Sequence, residues 1–451
     1  MQVRKVWREA PQDVKLLWWA VFLRMLAYGM TNQILTLFFS EIGISDDEMG
    51  WFMSLTLVGD VCISYVLTWY ADSWGRRLVL TYGSAMMALS GIVFATSENI
   101  KVLLAFAIIG VISPSSDEVG PFKSIEESMI AHLTPHNKRP EVYSMHSILG
   151  TLGSALGFLI CGIVTDLLIS FKVFQTKRAC YKAIFGIYAV LAAAKVIISI
   201  SLSSESEKDG DFDTDRIISG SSTQGDSDTV QEEDTEVVAE DTPLIVKSIK
   251  KKPLSKKTLS LVFRLLLIFM TDSLGAGFMT SSWMVYYYKK VFDMSNTSLG
   301  FLFFSSKYVM AASAIPSAIV ARLYGPVRAT LLVQIPSGIF SILIPFAESH
   351  LSLSVTLLLL FFFTMAMDVT PRQIILTNTI PSKDLTKVMG MVNIGKTVAR
   401  CIGPVFTGKL ASEGYLWVCY VISGFLVILA DMFLALLFCD IDEQILAKTN
   451  S

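Results

Sequence analysis

The chain has 451 residues, 53% of them hydrophobic and 17% charged, with a mean hydropathy of +0.55 and a formal net charge of −2. Soluble domains carry about 25% charged residues, so this composition excludes an ordinary soluble fold and points to a chain built for lipid. The charges are segregated, so the net value says little about partners, and no basic face argues for nucleic acid. A bilayer core about 30 Å thick requires about 20 mostly apolar residues per helix. The first such stretch, 14–39, is too long for the apolar part of a secretory signal and contains Arg24, Asn32 and Gln33, so it reads as a membrane helix. Five more follow at 48–70, 78–97, 101–126, 142–169 and 180–203. Polar and helix-breaking clusters such as 43–48 and 113–116 separate or kink them. Residues 204–257 are acidic and rich in Ser and Thr, then basic from 247; they cannot bury a core and are expected to be a disordered cytosolic loop. The basic end can meet anionic lipid, although a solvated linker is the simpler reading. Six further apolar stretches lie at 260–287, 297–320, 328–347, 352–377, 388–411 and 416–438.

The expected architecture is therefore an all-α membrane protein of twelve transmembrane helices in two six-helix bundles, 1–203 and 258–439, with a tail at 440–451. Lys and Arg set its orientation. With the N-terminus inside, cytosolic segments hold Arg4, Lys5, Arg8, Arg76, Arg77, Lys138, Arg139, Arg322, Arg328, Lys383 and Lys387. The loops at 40–48, 348–351 and 412–415 hold no Lys or Arg, whereas Lys172, Lys177 and Arg178 in another outer loop run against the rule. Both termini are then cytosolic. The sequon Asn296-Thr297-Ser298 falls in an outer loop, where glycosylation of Asn296 is topologically allowed. The cysteines Cys62, Cys161, Cys180, Cys401, Cys419 and Cys439 form no CxxC pair, and the four histidines show no ligand spacing. No disulfide framework, metal or cofactor is expected.

The two halves repeat. Glu118-Val119-Gly120-Pro121 and Asp368-Val369-Thr370-Pro371 stand 250 positions apart, each with an acid three residues before a proline. Thr151, Gly157 and Gly162 match Thr397, Gly403 and Gly408 at an offset of 246. Leu26 and Gly29 match Leu274 and Gly277 at 248, a register that sets Arg24 opposite Asp272. Three helix pairs at nearly one offset indicate a duplicated six-helix unit, an arrangement used by transporters.

Between the second and third helices the chain reads Thr68-Trp69-Tyr70-Ala71-Asp72-Ser73-Trp74-Gly75-Arg76-Arg77. This resembles the signature of the major facilitator superfamily, Gly-x-x-x-Asp-(Arg/Lys)-x-Gly-Arg-(Arg/Lys). Asp72, Gly75, Arg76 and Arg77 match; Thr68 and Ser73 depart from it. The equivalent loop of the second half keeps Gly325 and basic charge. The resemblance, to a fungal-type branch, implies that this loop gates the conformational change and does not bind substrate. It also implies that helices 1, 4, 7 and 10 line a central cavity.

An ionisable group inside the bilayer costs several kcal/mol unless it faces water or a partner. Arg24, Asp117, Glu118, Asp272, Asp368 and Arg372 fall on the four cavity helices implied by the resemblance, and Asp60, Lys307, Lys396 and Arg400 on their neighbours. These ten are the candidates for solute binding or proton coupling; a desolvated carboxylate can carry a proton, and a fixed base can hold an anion. Inter-helix ion pairing is the alternative. Pro114, Pro121 and Pro371 are expected to break helices beside the acids. Glu240, Leu244 and Ile245 have the form acid-x-x-x-Leu-Ile and resemble acidic dileucine signals that send proteins to the vacuole; the plasma membrane is the other destination considered.

The functional expectation is a monomeric, proton-coupled secondary transporter moving a small polar or charged organic solute by alternating access. The alternatives are a multidrug-type proton antiporter, which calls for an aromatic cavity with few bases, and a non-transporting receptor signalling through 204–257. No constellation for enzymatic chemistry is present.

Overall fold

The structure, a computed structural model, describes residues 2–110, 121–135, 138–207, 256–380, 385–438 and 442. Among these there is no strand. The first half runs α1 Gln2–Glu9, α2 Gln12–Glu41, α3 Asp46–Trp74, α4 Arg76–Thr96, α5 Ile100–Ile109, α6 Pro121–Leu133, α7 Arg139–Ser170 and α8 Lys177–Ile200. The second runs α9 Lys256–Phe278, α10 Ser281–Phe292, α11 Asn296–Tyr324, α12 Pro326–Leu343, α13 Leu351–Ala366, α14 Val369–Thr379, α15 Leu385–Ser412 and α16 Leu416–Phe438. Eight spans among the described residues are long and apolar enough to cross a membrane. Helices α2, α11 and α15, at 30, 29 and 28 residues, have the length but carry more polar groups. The loop residues that begin these helices read as caps. Ser45 and Glu48 form a reciprocal capping box at the start of α3, and Ser295 accepts from Ser298 N–H at the start of α11.

Two stretches expected to be single helices are interrupted. In a third, 101–126, α5 ends at Ile109 with Gly110 as its cap and α6 is described from Pro121; 111–120 lie outside the described residues. The stretch 260–287 breaks between α9 and α10, where Thr280 is extended. Thr407 Oγ1 donates to the Phe278 carbonyl at 2.7 Å, satisfying an acceptor that the break orphans. The stretch 352–377 breaks between α13 and α14. Pro371 has no N–H to return to the Met367 carbonyl, and Ser317 Oγ supplies that hydrogen bond instead at 2.6 Å.

The duplication is visible in the packing. Gly29 meets Gly157 where α2 crosses α7, and Gly277 meets Gly403 where α9 crosses α15. A Cβ on Gly157 would lie 2.2 Å from the Leu26 carbonyl, and one on Gly403 would lie 2.2 Å from the Gly277 carbonyl carbon. These are the residues matched at offsets 246 and 248, so the repeat conserves a backbone-to-backbone contact. Between the bundles the same symmetry recurs: Gly162 of α7 faces Asn296 and Gly300 of α11, and Gly408 of α15 faces Asp46 and Gly50 of α3. At the other end, Gly75 and Gly325 adopt φ of +95° and +84°, a region that favours glycine, and each opens a helix.

Candidate functional site

Two buried charge networks stand out among the described residues, one inside each bundle. In the first, Glu126 of α6 is fully buried and surrounded by bases from three other helices. Arg24 Nη2 of α2 donates to it at 2.9 Å, Lys195 Nζ of α8 lies at 3.4 Å, and His146 Nε2 of α7 at 3.7 Å. Lys195 also stands over the Phe122 ring, 4.1 Å from its centre. Arg24 is the exposed member of the set, with 15% of its side chain accessible. In the second network the signs are exchanged. Arg372 of α14 forks onto Asp272 of α9 with bonds of 2.6 and 3.0 Å, and its Nε contacts Asp368. Gln334 of α12 donates to Asp368 at 2.8 Å, and Arg372 stacks over Phe269. Arg24 and Asp272 are equivalent in the repeat at offset 248. The first network centres on an acid among bases, the second on a base among acids.

The networks also differ in what they leave unpaired. Around Glu126, Arg24 Nε, Lys195 Nζ and both His146 ring nitrogens are buried without a hydrogen bond among the described residues. Around Arg372 every guanidinium nitrogen is engaged by a carboxylate. What is left over there is acceptors: Asp368 Oδ1, and both oxygens of Asp431 on α16, which is fully buried and has no hydrogen-bond partner among the described residues. Asp431 is close enough for its charge to bear on Arg372.

Of the ten intramembrane candidates, the structure brings Asp272, Asp368 and Arg372 together and pairs Arg24 with Glu126. Asp60 is buried on α3, where Ser64 donates to it at 3.4 Å, and Lys307 is buried on α11. Lys396 and Arg400 are half-buried on α15, near enough for their charge to act on Asp272. Asp117, Glu118, Pro114, Glu240, Leu244, Ile245 and the side chain of Asp72 lie outside the described residues. In the loop that carries the signature, Arg77 donates to the Ile200 carbonyl at the end of α8, a placement that suits a cation near a helix C-terminus. The equivalent loop at Gly325 is held differently, with Asp442 accepting from Val327 N–H and Arg328 N–H at 2.8 Å each.

Asn296 does not stand free as a glycan acceptor. It is 5% exposed, and its amide nitrogen donates to Asp166 of α7 at 2.8 Å. Asp166 also accepts from Thr297 N–H at 2.7 Å, so a carboxylate of one bundle caps a helix of the other. Gln33 to the Asn296 carbonyl, Thr36 to the Ser282 carbonyl, Ser282 to Asn32, and Tyr286 to Asp46 continue this seam between the bundles. Glu126, His146 and Lys195 are not among the ten candidates read from the sequence. A charge inside an apolar run was the available signal for Lys195.

The model of the Major Facilitator Superfamily matches residues 17–367 and 265–448. The chain belongs to the Major Facilitator Superfamily. It is an integral membrane transporter of the twelve-helix fold, not an enzyme. Uncharacterized membrane protein YJR124C of Saccharomyces cerevisiae is 58% identical over 98% of this chain and 97% of its own length. Among solved structures, a bacterial homologue of the human lysosomal transporter Spinster, inward-facing and occupied, has a TM-score of 0.69. It is 12% identical and the match covers 94% of this chain and 95% of that one. A D-xylose-proton symporter has a TM-score of 0.67 at 14% identity, covering 93% and 95%. Likeness at this identity concerns the shared fold.

Proposed function

We propose that the protein is a proton-coupled secondary transporter that carries a small polar or charged organic solute by alternating access. The observation that carries this reading is the pair of buried charge networks, one per bundle, the second on helices that are interrupted beside it at Thr280 and Met367. Such groups are expensive in lipid and mark solute or ion pathways, and interrupted helices at midplane sites are the usual seat of binding in transporters. The seam of hydrogen bonds at the Asp46 and Asn296 end joins the bundles there, and rocking about it would open the other end. The solved D-xylose-proton symporter of the same fold supports coupling to protons.

The positive-inside distribution supports cytosolic termini, the Glu240, Leu244, Ile245 signal supports the vacuolar membrane, and a monomer in contact with lipid is the working state. The test is flux into vesicles reconstituted with purified protein, using solutes identified by metabolite profiling of organelles with and without it. Flux should collapse with an uncoupler and with Asp368→Asn. Flux that survives both removes proton coupling, and no flux for any differing metabolite removes transport. A second reading, multidrug-type antiport, is favoured by one feature: an apolar groove of about 580 Å³ between α3 and α15, lined by Trp51, Leu55, Val58, Val398 and Phe406. Flux of hydrophobic cations in the same vesicles would select it.

A further inference from the structure

We propose that the Glu126 network is the seat of an anionic group of the solute, a carboxylate or phosphate, and that Glu126 is the resident counterion this group displaces. The inference rests on the transport reading and names its substrate class. Arg24 and Lys195 carry two positive charges against one carboxylate, so the contact set has a base in excess even with His146 neutral. Buried donors are nearly always hydrogen-bonded in proteins, yet four nitrogens here are not: Arg24 Nε, Lys195 Nζ, His146 Nδ1 and His146 Nε2. The side chains of Lys195 and His146 are 1% and 5% exposed, so solvent does not serve them. The 3.4 Å separation of Lys195 from Glu126 is long for a charge-assisted hydrogen bond, which is about 2.7–2.9 Å. As placed, Glu126 leaves these nitrogens without a hydrogen bond, and a bound oxyanion brings acceptors to them.

The approach is from Arg24, whose side chain is the accessible edge of the set. The other charged groups around Glu126 are Lys123 and Glu127 on its own helix, both half-exposed. In the second network each guanidinium nitrogen of Arg372 already has a carboxylate oxygen from Asp272 or Asp368.

The test is thermal unfolding of the full-length purified protein in detergent at fixed ionic strength. The probes are succinate, citrate, inorganic phosphate and glycerol 3-phosphate, set against choline, putrescine, xylose and uridine. At least one anion is expected to raise the unfolding temperature saturably. Its half-saturating concentration should rise about tenfold to hundredfold in Lys195→Met, the loss of one charge-assisted contact. Glu126→Gln should tighten the same anion, since the internal competitor is gone. Should that variant fail to fold, the wild-type panel and Lys195→Met still decide. The proposal is overturned if no anion exceeds sodium chloride, if Lys195→Met binds the anion as wild type does, or if only phosphatidylglycerol stabilises. Stabilisation by xylose, uridine or a cation instead would overturn the anion site and leave the transport reading standing. An anion that binds but shows no flux in vesicles would do the reverse.

Discussion

Glu126 in the first bundle faces three bases, while Arg372 in the second is gripped by two carboxylates with a third, Asp431, in the same interior. Each centre has a base over a phenylalanine ring, Lys195 in the first and Arg372 in the second. The difference lies in saturation. The guanidinium of Arg372 has a carboxylate oxygen at each of its three nitrogens, whereas Glu126 leaves Arg24 Nε, Lys195 Nζ and both His146 ring nitrogens without a hydrogen bond among the described residues. The second network is therefore filled, and the first retains capacity for a ligand. Charge inversion alone would have made the two halves equivalent; the number of partners around each centre makes them different.

That contrast can be broken experimentally. The largest effect is expected for Arg372→Met, which strands Asp272, Asp368 and Asp431 in the bundle interior. Removing one partner of a buried pair costs about 3–5 kcal/mol, visible as a large fall in unfolding temperature. Arg24→Met should cost less, about 1.5–3 kcal/mol, because Lys195 still faces Glu126. Equal losses in the two variants would end the distinction between a saturated and an unsaturated centre. Asp431→Leu should stabilise by about 1–3 kcal/mol, since it removes a buried carboxylate that has no hydrogen-bond partner among the described residues. A fall in stability would instead make Asp431 a third working ligand of Arg372.

The smallest effect is expected at Glu98, which combines with Arg178 at 2.9 Å and Lys182 at 2.7 Å and so repeats the composition of the Glu126 pairings in water. The hydrogen bond from Lys182 and the two positive charges hold the Glu98 carboxyl below its ordinary range. Its stabilisation is therefore present above the unfolded pKa and lost as pH falls through the folded one. Exposure and screening limit it to about 0–1 kcal/mol. Glu98→Gln should leave the unfolding temperature nearly unchanged at neutral pH, and a loss comparable to Arg24→Met would mean that burial is not what distinguishes Glu126.

Much of the fold was legible in the chain because its signals are local. Apolar length set the spans, and Gly29, Gly157, Gly277 and Gly403, matched in the repeat, are the crossings that the structure uses for backbone contact. The breaks at Thr280 and Met367 were not legible, since they depend on hydroxyls from distant helices, Thr407 and Ser317, to satisfy orphaned carbonyls. Of the site, Arg24, Asp272, Asp368 and Arg372 were found as charges in apolar surroundings. Glu126, His146 and Lys195 were not, because residue type and hydropathy do not say which helices converge.

The amino-acid sequence by itself determined the membrane class, the duplication and the family, because hydropathy, offset and a loop signature need no third dimension. Only the tertiary structure decided which charge meets which, and hence that one bundle holds a filled centre and the other an unfilled one. The reason is that a buried charge is governed by partners brought from remote segments, over separations of about 100 residues for Arg24 and Glu126 and for Asp272 and Arg372 alike.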